Sequence, residues 1–517
     1  MIDAIIIGYF VIILAIGLWS RHTAGDVSVN EYFLSSNSLR WPSIAMSTIG
    51  TNIHAGHFLG MMGSAYLYGL AQANLEINAI FGILVAAFLF VPFYLKHKVI
   101  TISQFFERTF GPRVALTYSL LSMVLFATLY LGATLFWGAY AVNAVFGERL
   151  RFISDDPMIR VAALVVVLGA FSATYTLLGG LTAVVRTDVF QFILLLLGGV
   201  ILLVLSVNAV GGWTQLYEKT PHLMHLHLPA DHPTLPWTAI FGMLLLNLNY
   251  WGCNQVILQR ALAARNLREA QIGLLVGGAL KYLMAAIIIL PGVALAGMLI
   301  DRPLDDPDQS YIVLIDTLLP TGLRGIILVG LFASLMSSVD SMFNSLATLW
   351  SIDVYKRHLN PAASDQAVVR VGKLAIVVCL VTGILFGFVQ VYVKYQDPGF
   401  ALTHWFNDMS YYIKNGFVVL ISAAIFLIKP SPRLVFYALF LSIAISLGLQ
   451  WTFPGLAYFN RALYTILLTF AVVAAPTVAK NGWRISMRDL VQIASPTIGY
   501  CALGLGLSLL LVHVFLH

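Results

Sequence analysis

Polar side chains that are suited to binding a small solute or an ion interrupt an otherwise apolar stretch near the N-terminus. Residues 47–63, STIGTNIHAGHFLGMMG, contain one asparagine, two threonines and two histidines. Because unsatisfied polar groups in hydrocarbon are costly, we expect a membrane helix to break near Gly50, Thr51 and Asn52 and to line a cavity. Discontinuous helices of this kind form binding sites in secondary transporters. A small-residue packing face is the alternative, and it would explain only the glycines.

A second polar interruption lies five apolar stretches further along the chain. It reads NLNYWGCNQVILQR, residues 247–260, with Gly252 as the expected break point. Two interrupted helices at matching positions of two five-helix halves predict an inverted-repeat transporter. This repeat is inferred from placement alone, because the two halves show no clear residue-by-residue identity.

A third apolar stretch carries a row of serines with one acidic neighbour, Asp340. The spacing of the serines at i, i+3, i+4, i+7 and i+11 places all five hydroxyls on one face of a helix. Hydroxyl and carboxylate oxygens are the ligands that a small hard cation prefers. The alternative is that each hydroxyl bonds back to its own helix. The five residues are Ser334, Ser337, Ser338, Ser341 and Ser345.

The composition sets the class of protein that must position these groups. Hydrophobic residues make up 59% of the chain and charged residues only 10%, whereas a soluble domain has about 25% charged residues. The sequence therefore predicts a polytopic membrane protein. The net charge of +6 is assigned to basic loops on one membrane face, so no nucleic-acid partner is expected, and no obligate protein partner is evident.

Fourteen apolar stretches are long enough to cross a bilayer, which takes about 20 helical residues. Short linkers join them, so residues 1–517 are expected to form a single all-α transmembrane domain. The stretches lie near residues 3–20, 41–69, 75–95, 115–147, 160–178, 187–207, 236–258, 272–300, 323–352, 371–394, 403–428, 434–451, 462–479 and 490–514.

Basic residues predict the orientation in the membrane. Alternate linkers hold nineteen lysines and arginines on one side against eight on the other, while Lys281 and Lys414 lie inside spans. The richer side is cytoplasmic by the positive-inside rule, so both termini are expected to be extracytoplasmic. The cytoplasmic set includes Arg21, Arg260, Arg484 and Arg488, and the outer side holds Asp301, Asp305, Asp306 and Asp308.

A series of short motifs runs along the chain in a fixed order. The motifs are Thr51-Asn52-Ile53 with Gly56-His57-Phe58 and Gly60, Leu75-Glu76 with Asn78, Gly179-Gly180-Leu181 with Thr187-Asp188 and Gln191, Tyr250-Trp251-Gly252 with Asn254-Gln255 and Gln259-Arg260, Lys281 with Pro291-Gly292, and Ser337-Ser338 through Asn344-Ser345 to Asp353 and Tyr355. Together they resemble the sodium/solute symporter family, especially its sodium/glucose and sodium/galactose cotransporter branch, from about residue 5 to 515.

This resemblance implies a fold and an activity. The fold is a LeuT-type core of five plus five helices in inverted repeat over residues 41–428, with one extra helix at 3–20 and three at 434–514. The activity is uptake of a small neutral sugar, a hexose such as glucose or galactose, driven by inward Na⁺ movement through alternating access, with no enzymatic step.

The resemblance also implies two sets of site residues. A conserved Na⁺ site is formed by backbone carbonyls of Gly50 and Ile53 together with Ser334, Ser337 and Ser338. The sugar contacts are Asn52, His57, Glu76, Asn247, Tyr250, Trp251 and Lys281, with Asn407 in a loosely aligned region. The chemistry of these side chains agrees with a neutral polyol, because amide, imidazole, carboxylate and ammonium groups match hydroxyls and the aromatic rings match an apolar sugar face.

Three residues depart from the pattern of the sugar-transporting members. Ile77 replaces a common tryptophan, and His54 stands where glycine or serine is usual and is expected to narrow the pocket. Asp340 replaces an uncharged residue. The first two departures leave the particular sugar open, and the third leaves the ion stoichiometry open.

A second cation site is predicted from Asp188 together with Ser337, Asp340 and Ser341. Asp340 lies about 60° from Ser337 around a helix of 3.6 residues per turn, and two nearby carboxylates repel unless a cation or proton lies between them. A second Na⁺ is the favoured occupant. The alternatives are a shared proton or an Arg186–Asp188 ion pair without any ion.

Other functions compete with sugar uptake. A symporter of the same fold for inositol or another polyol, sialic acid, an amino acid or a carboxylate is the next alternative. An anionic substrate should require an arginine deep in a span, and the fourteen spans contain none. A membrane-embedded enzyme is the remote alternative, since the sequence has no metal-ligand cluster, nucleophile–base arrangement or nucleotide-binding loop.

Overall fold

The computed structural model describes residues 2–19, 28–300, 302–397, 402–482 and 491–516. Within these ranges the chain is helical, joined by short connections and two isolated β-bridges. Several residues that the sequence analysis used for orientation lie outside the described residues, so the positions of both termini relative to the membrane stay a prediction. These residues are Arg21, Asp301, Arg484 and Arg488.

Eleven helices within the described ranges are long and apolar enough to cross a membrane. They are His57–Lys96, Pro112–Phe146, Pro157–Thr174, Gly180–Val210, Leu267–Met298, Gly322–Leu359, Asp365–Gln396, His404–Phe426, Pro432–Thr452, Tyr458–Asn481 and Pro496–Phe515. The N-terminal helix Ile2–Trp19 has a shorter apolar part, Ile5–Gly17. The all-helical membrane fold is thus confirmed, whereas the count of fourteen spans stays a prediction.

The first polar stretch breaks its helix where the sequence predicts. Helix Trp41–Asn52 ends at Asn52, and Ile53 adopts an extended backbone before the chain resumes as a π-helical turn, His57–Met61. The N–H of His54 donates to Nδ1 of His57 at 3.2 Å, so the Gly50 carbonyl loses the donor that an uninterrupted helix would supply. We call Trp41–Asn52 and its continuation from His57 the broken helix.

The second polar stretch also breaks its helix. Helix Ala239–Gly252, which we call the tyrosine helix, ends at Gly252, and the Asn254 side chain caps the next helix, Gln255–Leu262. The hydroxyl of Tyr94 donates to the freed carbonyl of Gly252 at 2.7 Å, and that of Tyr118 donates to the carbonyl of Cys253. Side chains therefore satisfy the carbonyls at this second break.

Two further helices pack beside the broken helix and carry the acidic and serine residues. The long helix, Pro157–Val210, bends at Gly180, whose φ of +54° lies in the left-handed region that favours glycine. It makes its most extensive packing against the serine helix, Thr321–Thr348. Gly50 lies against both partners, since a Cβ there would be 3.4 Å from Ser337 Oγ and 3.7 Å from the Asp188 carbonyl.

The remaining helices complete the core and its surround. The lysine helix, Leu267–Met298, packs on Trp41–Asn52, and the tyrosine helix packs on Ala79–Val85. That second contact is close, because a Cβ on Gly82 would lie 2.6 Å from the Asn247 carbonyl. The other helices are Val29–Leu34, Met62–Tyr68, Asn74–Ile77, Val91–Lys96, Ile102–Phe110, Pro112–Leu125, Leu131–Phe146, Trp213–Lys219, Ser310–Leu318, Asp365–Gln396, Leu402–Phe426, Pro432–Thr452, Tyr458–Asn481 and Pro496–Phe515.

Candidate functional site

One cavity of about 160 Å³ lies beside the break in the broken helix. All eight residues predicted to contact the solute line it, although they come from six separate helical segments and are up to 355 positions apart. They are Asn52, His57, Glu76, Asn247, Tyr250, Trp251, Lys281 and Asn407. The structure thus brings the predicted set together, while the binding role of each residue stays a prediction.

The polar residues of this cavity form one connected network. Lys281 donates to the Glu76 carboxylate at 2.6 Å and to the side-chain oxygen of Asn52. The Asn52 amide donates to the Tyr250 hydroxyl at 2.9 Å, and His57 Nε2 lies 3.5 Å from Glu76. Both charges of the Lys281–Glu76 pair are almost completely buried, so each compensates the other in a medium of low dielectric constant.

Aromatic rings form the apolar part of the cavity wall. Trp251 lies beneath the Lys281 ammonium, which is 5.5 Å from its ring centroid, and Tyr250 packs edge-on against Trp251. His54 also lines the cavity and packs edge-on against His57, with ring centroids 4.3 Å apart. The His54 imidazole therefore occupies part of the cavity wall. That it narrows the pocket relative to the sugar-transporting members stays a prediction.

The serine helix meets the broken helix next to this cavity. Ser338 Oγ donates to the Thr51 carbonyl at 2.9 Å and to the Ser334 carbonyl at 3.1 Å. The Ser334 hydroxyl donates to the Leu331 carbonyl of its own helix. This is the alternative to cation binding that the sequence analysis left open for the serines. Of the five residues predicted for the conserved Na⁺ site, Ser338 contacts the backbone at the helix break and Ser337 lies against Gly50. The five residues are Gly50, Ile53, Ser334, Ser337 and Ser338.

Asp188 is the centre of a second buried cluster. Its carboxylate accepts from Ser337 and Ser47, each at 2.5 Å, and its Oδ2 lies 3.2 Å from an Arg260 nitrogen. Arg260 also donates to Ser341, which contacts Thr51 at 2.9 Å. The cluster joins the broken helix, the long helix and the serine helix through one fully buried ion pair.

Arg260 corrects two expectations drawn from the sequence. We assigned it to a cytoplasmic linker and found no arginine deep in any span, but its side chain is fully buried in helix Gln255–Leu262. The guanidinium that reaches Asp188 is therefore Arg260, while Arg186 is exposed and lies 5.1 Å from the Trp19 ring. The misassignment arose because the second break turns the chain back into the protein core.

Ser341 and Asp340, the two remaining residues of the predicted second cation site, have different contacts. Ser341 touches Arg260 directly, as described above. Asp340 is fully buried, and its Oδ1 accepts from the backbone N–H of Ser341 at 3.0 Å. An Na⁺ at Asp188 would have to share the carboxylate with the Arg260 guanidinium, and the second site stays a prediction.

Several residues of the cavity wall have no role assigned from the sequence. Lys414, Tyr130 and Tyr411 line the same cavity as the predicted set. Lys414 was visible only as a basic residue inside a span. The tyrosines gave no sequence signal, because aromatic residues are common in membrane helices and only packing shows which ones face a cavity.

Comparisons with known proteins agree with this geometry. The model of the sodium:solute symporter family matches residues 32–428. A sodium/glucose cotransporter of Vibrio parahaemolyticus is 29% identical over 507 residues, covering 92% of this chain and 89% of that protein. A sodium/myo-inositol cotransporter 2 of Oryctolagus cuniculus is 32% identical, covering 77% of this chain and 64% of that protein.

Solved structures give the same fold. The substrate-bound outward-open structure of a Na⁺-coupled sialic acid symporter superposes with a TM-score of 0.79 at 20% sequence identity. The match covers 96% of this chain and 99% of that chain. At this level of identity the likeness concerns the fold, which is of the LeuT type with its inverted repeat.

Proposed function

The chain belongs to the sodium:solute symporter family, and from that premise we propose that it takes up a hexose-class sugar, with glucose and galactose as the reference compounds. Membership makes it a multi-pass membrane transporter that couples solute movement to Na⁺, and not an enzyme. The identity of the solute and the residues that bind it are the proposed part.

The cavity that gathers all eight predicted contact residues carries this proposal. A monosaccharide presents a ring of hydroxyls, each both donor and acceptor, and an apolar face. The network of Asn52, Glu76 and Lys281 supplies donors and acceptors side by side, and the rings of Tyr250 and Trp251 supply an apolar surface. The relatives named as sodium/glucose and sodium/myo-inositol cotransporters support a polyhydroxylated solute.

We place the coupled Na⁺ at the carbonyls of Gly50 and Ile53 together with the hydroxyls of Ser334, Ser337 and Ser338. The released Gly50 carbonyl and the direct contact of Ser338 with the helix break support this position. Because Asn52 belongs to the same break and lines the solute cavity, Na⁺ and solute would stabilise one arrangement of the backbone. Each would then raise the affinity of the other by the same factor, which is the thermodynamic basis of coupling.

Uptake by purified protein in liposomes tests the proposal. We expect an inward Na⁺ gradient, but not a choline gradient, to drive accumulation of at least one member of a panel of hexoses, inositols, sugar acids, sialic acid and amino acids. Ser338→Ala should lower the apparent Na⁺ affinity. The matched control is Ser442→Ala, another buried serine, whose hydroxyl bonds back to the Leu439 carbonyl within helix Pro432–Thr452.

Two results would contradict this function. Accumulation of amino acids or non-hydroxylated carboxylates without any sugar or polyol would refute the solute class. Equal Na⁺ dependence in wild type, Ser338→Ala and Ser442→Ala would refute the ion site and leave the solute class untouched. Preference for inositol over hexoses would favour the closest alternative, which the rabbit sodium/myo-inositol relative supports.

A further inference from the structure

Lys414 lies in the wall of the solute cavity, where its ammonium faces three tyrosine rings. Its side chain projects from helix Leu402–Phe426, and the residue is only 6% exposed. The ammonium lies 4.7 Å from the ring centroid of Tyr130, 5.0 Å from that of Tyr411 and 5.9 Å from that of Tyr250. Across the described part of the chain, no carboxylate lies within 4.0 Å of it and no oxygen accepts a hydrogen bond from it.

Three other buried basic side chains lie beside carboxylates, whereas the buried Arg160 donates to the Asn143 side-chain oxygen and to backbone carbonyls. Arg260 pairs with Asp188 at 3.2 Å, Lys281 pairs with Glu76 at 2.6 Å, and Lys394 pairs with Asp308 at 2.8 Å. This pairing follows from the several kcal/mol that desolvating a charge costs in a protein interior. Each contact with an aromatic ring recovers about 2 kcal/mol for a desolvated cation, but the three tyrosine rings carry no negative charge that could pair with the ammonium.

The charges that face the cavity therefore do not balance. Glu76 lies beside Lys281, and Lys414 is a second basic side chain in the cavity wall, to which His54 and His57 add no acidic group. Tyr250 lies between the Asn52–Glu76–Lys281 network and Lys414. Its hydroxyl accepts a hydrogen bond from the Asn52 amide, and its ring faces the Lys414 side chain. A ligand that reaches from Asn52 along Tyr250 would contact the hydroxyl-binding network at one end and the Lys414 side chain at the other.

We infer that the solute is a sugar acid, a uronate or an aldonate, whose carboxylate pairs with Lys414 while its hydroxyls bind at Asn52, Glu76 and Lys281. The inference rests on the proposed sugar transport and refines it. The neutral solute expected from the sequence follows from the resemblance to sugar cotransporters and from side chains that match hydroxyls, and the lack of an arginine deep in a span argues against an anion. Lys414 supplies the missing positive charge from the cavity wall, and the aromatic rings around it keep the ammonium desolvated, which strengthens its attraction to a carboxylate.

A comparison of glucuronate with glucuronamide tests this inference, because the two ligands have nearly the same shape and differ at one group, a charged carboxylate in the first and a neutral amide in the second. We expect wild-type protein, purified in Na⁺, to bind glucuronate at least tenfold more tightly than glucuronamide by calorimetry. In Lys414→Met, which keeps the length of the side chain and removes its charge, the ratio of the two dissociation constants should fall to about one. Lys414→Arg, which retains a cation, should restore a preference for glucuronate.

The outcomes separate this inference from the function on which it rests. Na⁺-driven uptake of glucose and glucuronamide with no preference for glucuronate overturns the sugar-acid inference and leaves sugar transport standing. An unchanged preference for glucuronate in Lys414→Met also overturns it, because another group must then bind the carboxylate. Failure to bind or take up any neutral or acidic sugar refutes the proposed function itself, and the inference with it.

Discussion

The buried ion pair between Arg260 and Asp188 gives the sharpest test of how the core is held together. Both side chains are fully buried, and their nearest charged atoms are 3.2 Å apart. Coulomb attraction at this distance is roughly 5 kcal/mol for an effective dielectric constant of about 20. We therefore expect Arg260→Met to lower the free energy of unfolding by about 3–5 kcal/mol, because it leaves the Asp188 carboxylate buried without its cation.

A double-mutant cycle distinguishes the pair from the rest of the packing. Asp188→Asn should also destabilise the protein, since it leaves the Arg260 charge unpaired. The double variant should be less destabilised than the sum of the two single changes, with a coupling of about 2 kcal/mol or more. Equilibrium unfolding in mixed detergent and denaturant micelles measures all four proteins in Na⁺-free buffer. Additive effects would refute the idea that the two residues stabilise the fold as a pair.

Sodium provides a second readout for the same variants. In Arg260→Met the Asp188 carboxylate keeps its contacts with Ser47 and Ser337, which together form an oxygen-rich ligand set for a hard cation. We expect added Na⁺ to stabilise this variant more than it stabilises wild type, by up to about 2.7 kcal/mol at 100 times the dissociation constant. An equal response in choline would show that ionic strength, and not a bound Na⁺, causes the recovery.

Three further predictions concern transport. Because Arg260 pairs with Asp188, we expect one Na⁺ to be transported per solute molecule in proteoliposomes. The ratio of labelled Na⁺ to labelled solute measures this stoichiometry. A ratio of two that falls to one in Asp188→Asn would instead establish the second site. Glu76→Gln should abolish high-affinity solute binding in an equilibrium binding assay, because it removes the partner of Lys281 at a cost of about 3–5 kcal/mol; normal binding would place the solute elsewhere. Asn247→Ala should weaken solute binding by about 1–3 kcal/mol, through loss of hydrogen bonds to hydroxyls, and an unchanged dissociation constant would contradict its role.

Local sequence patterns determined the membrane fold and the location of the two helix breaks. Apolar runs of membrane length predicted the helices, and polar residues within them predicted where helices Trp41–Asn52 and Ala239–Gly252 end. The spacing of serines predicted one hydroxyl face. These features depend on residues within a few turns of each other, and such local regularities can be read directly from the sequence.

The identity of the charged partners was decided by the tertiary structure. Asp188 and Arg260 are 72 positions apart, and nothing in either local sequence indicates that the second helix break turns Arg260 into the core. The charge at Lys414 was visible from the sequence, but its lack of an acidic partner was not. That property depends on which side chains from the other helical segments reach the same cavity, and only the packing of the folded chain determines it.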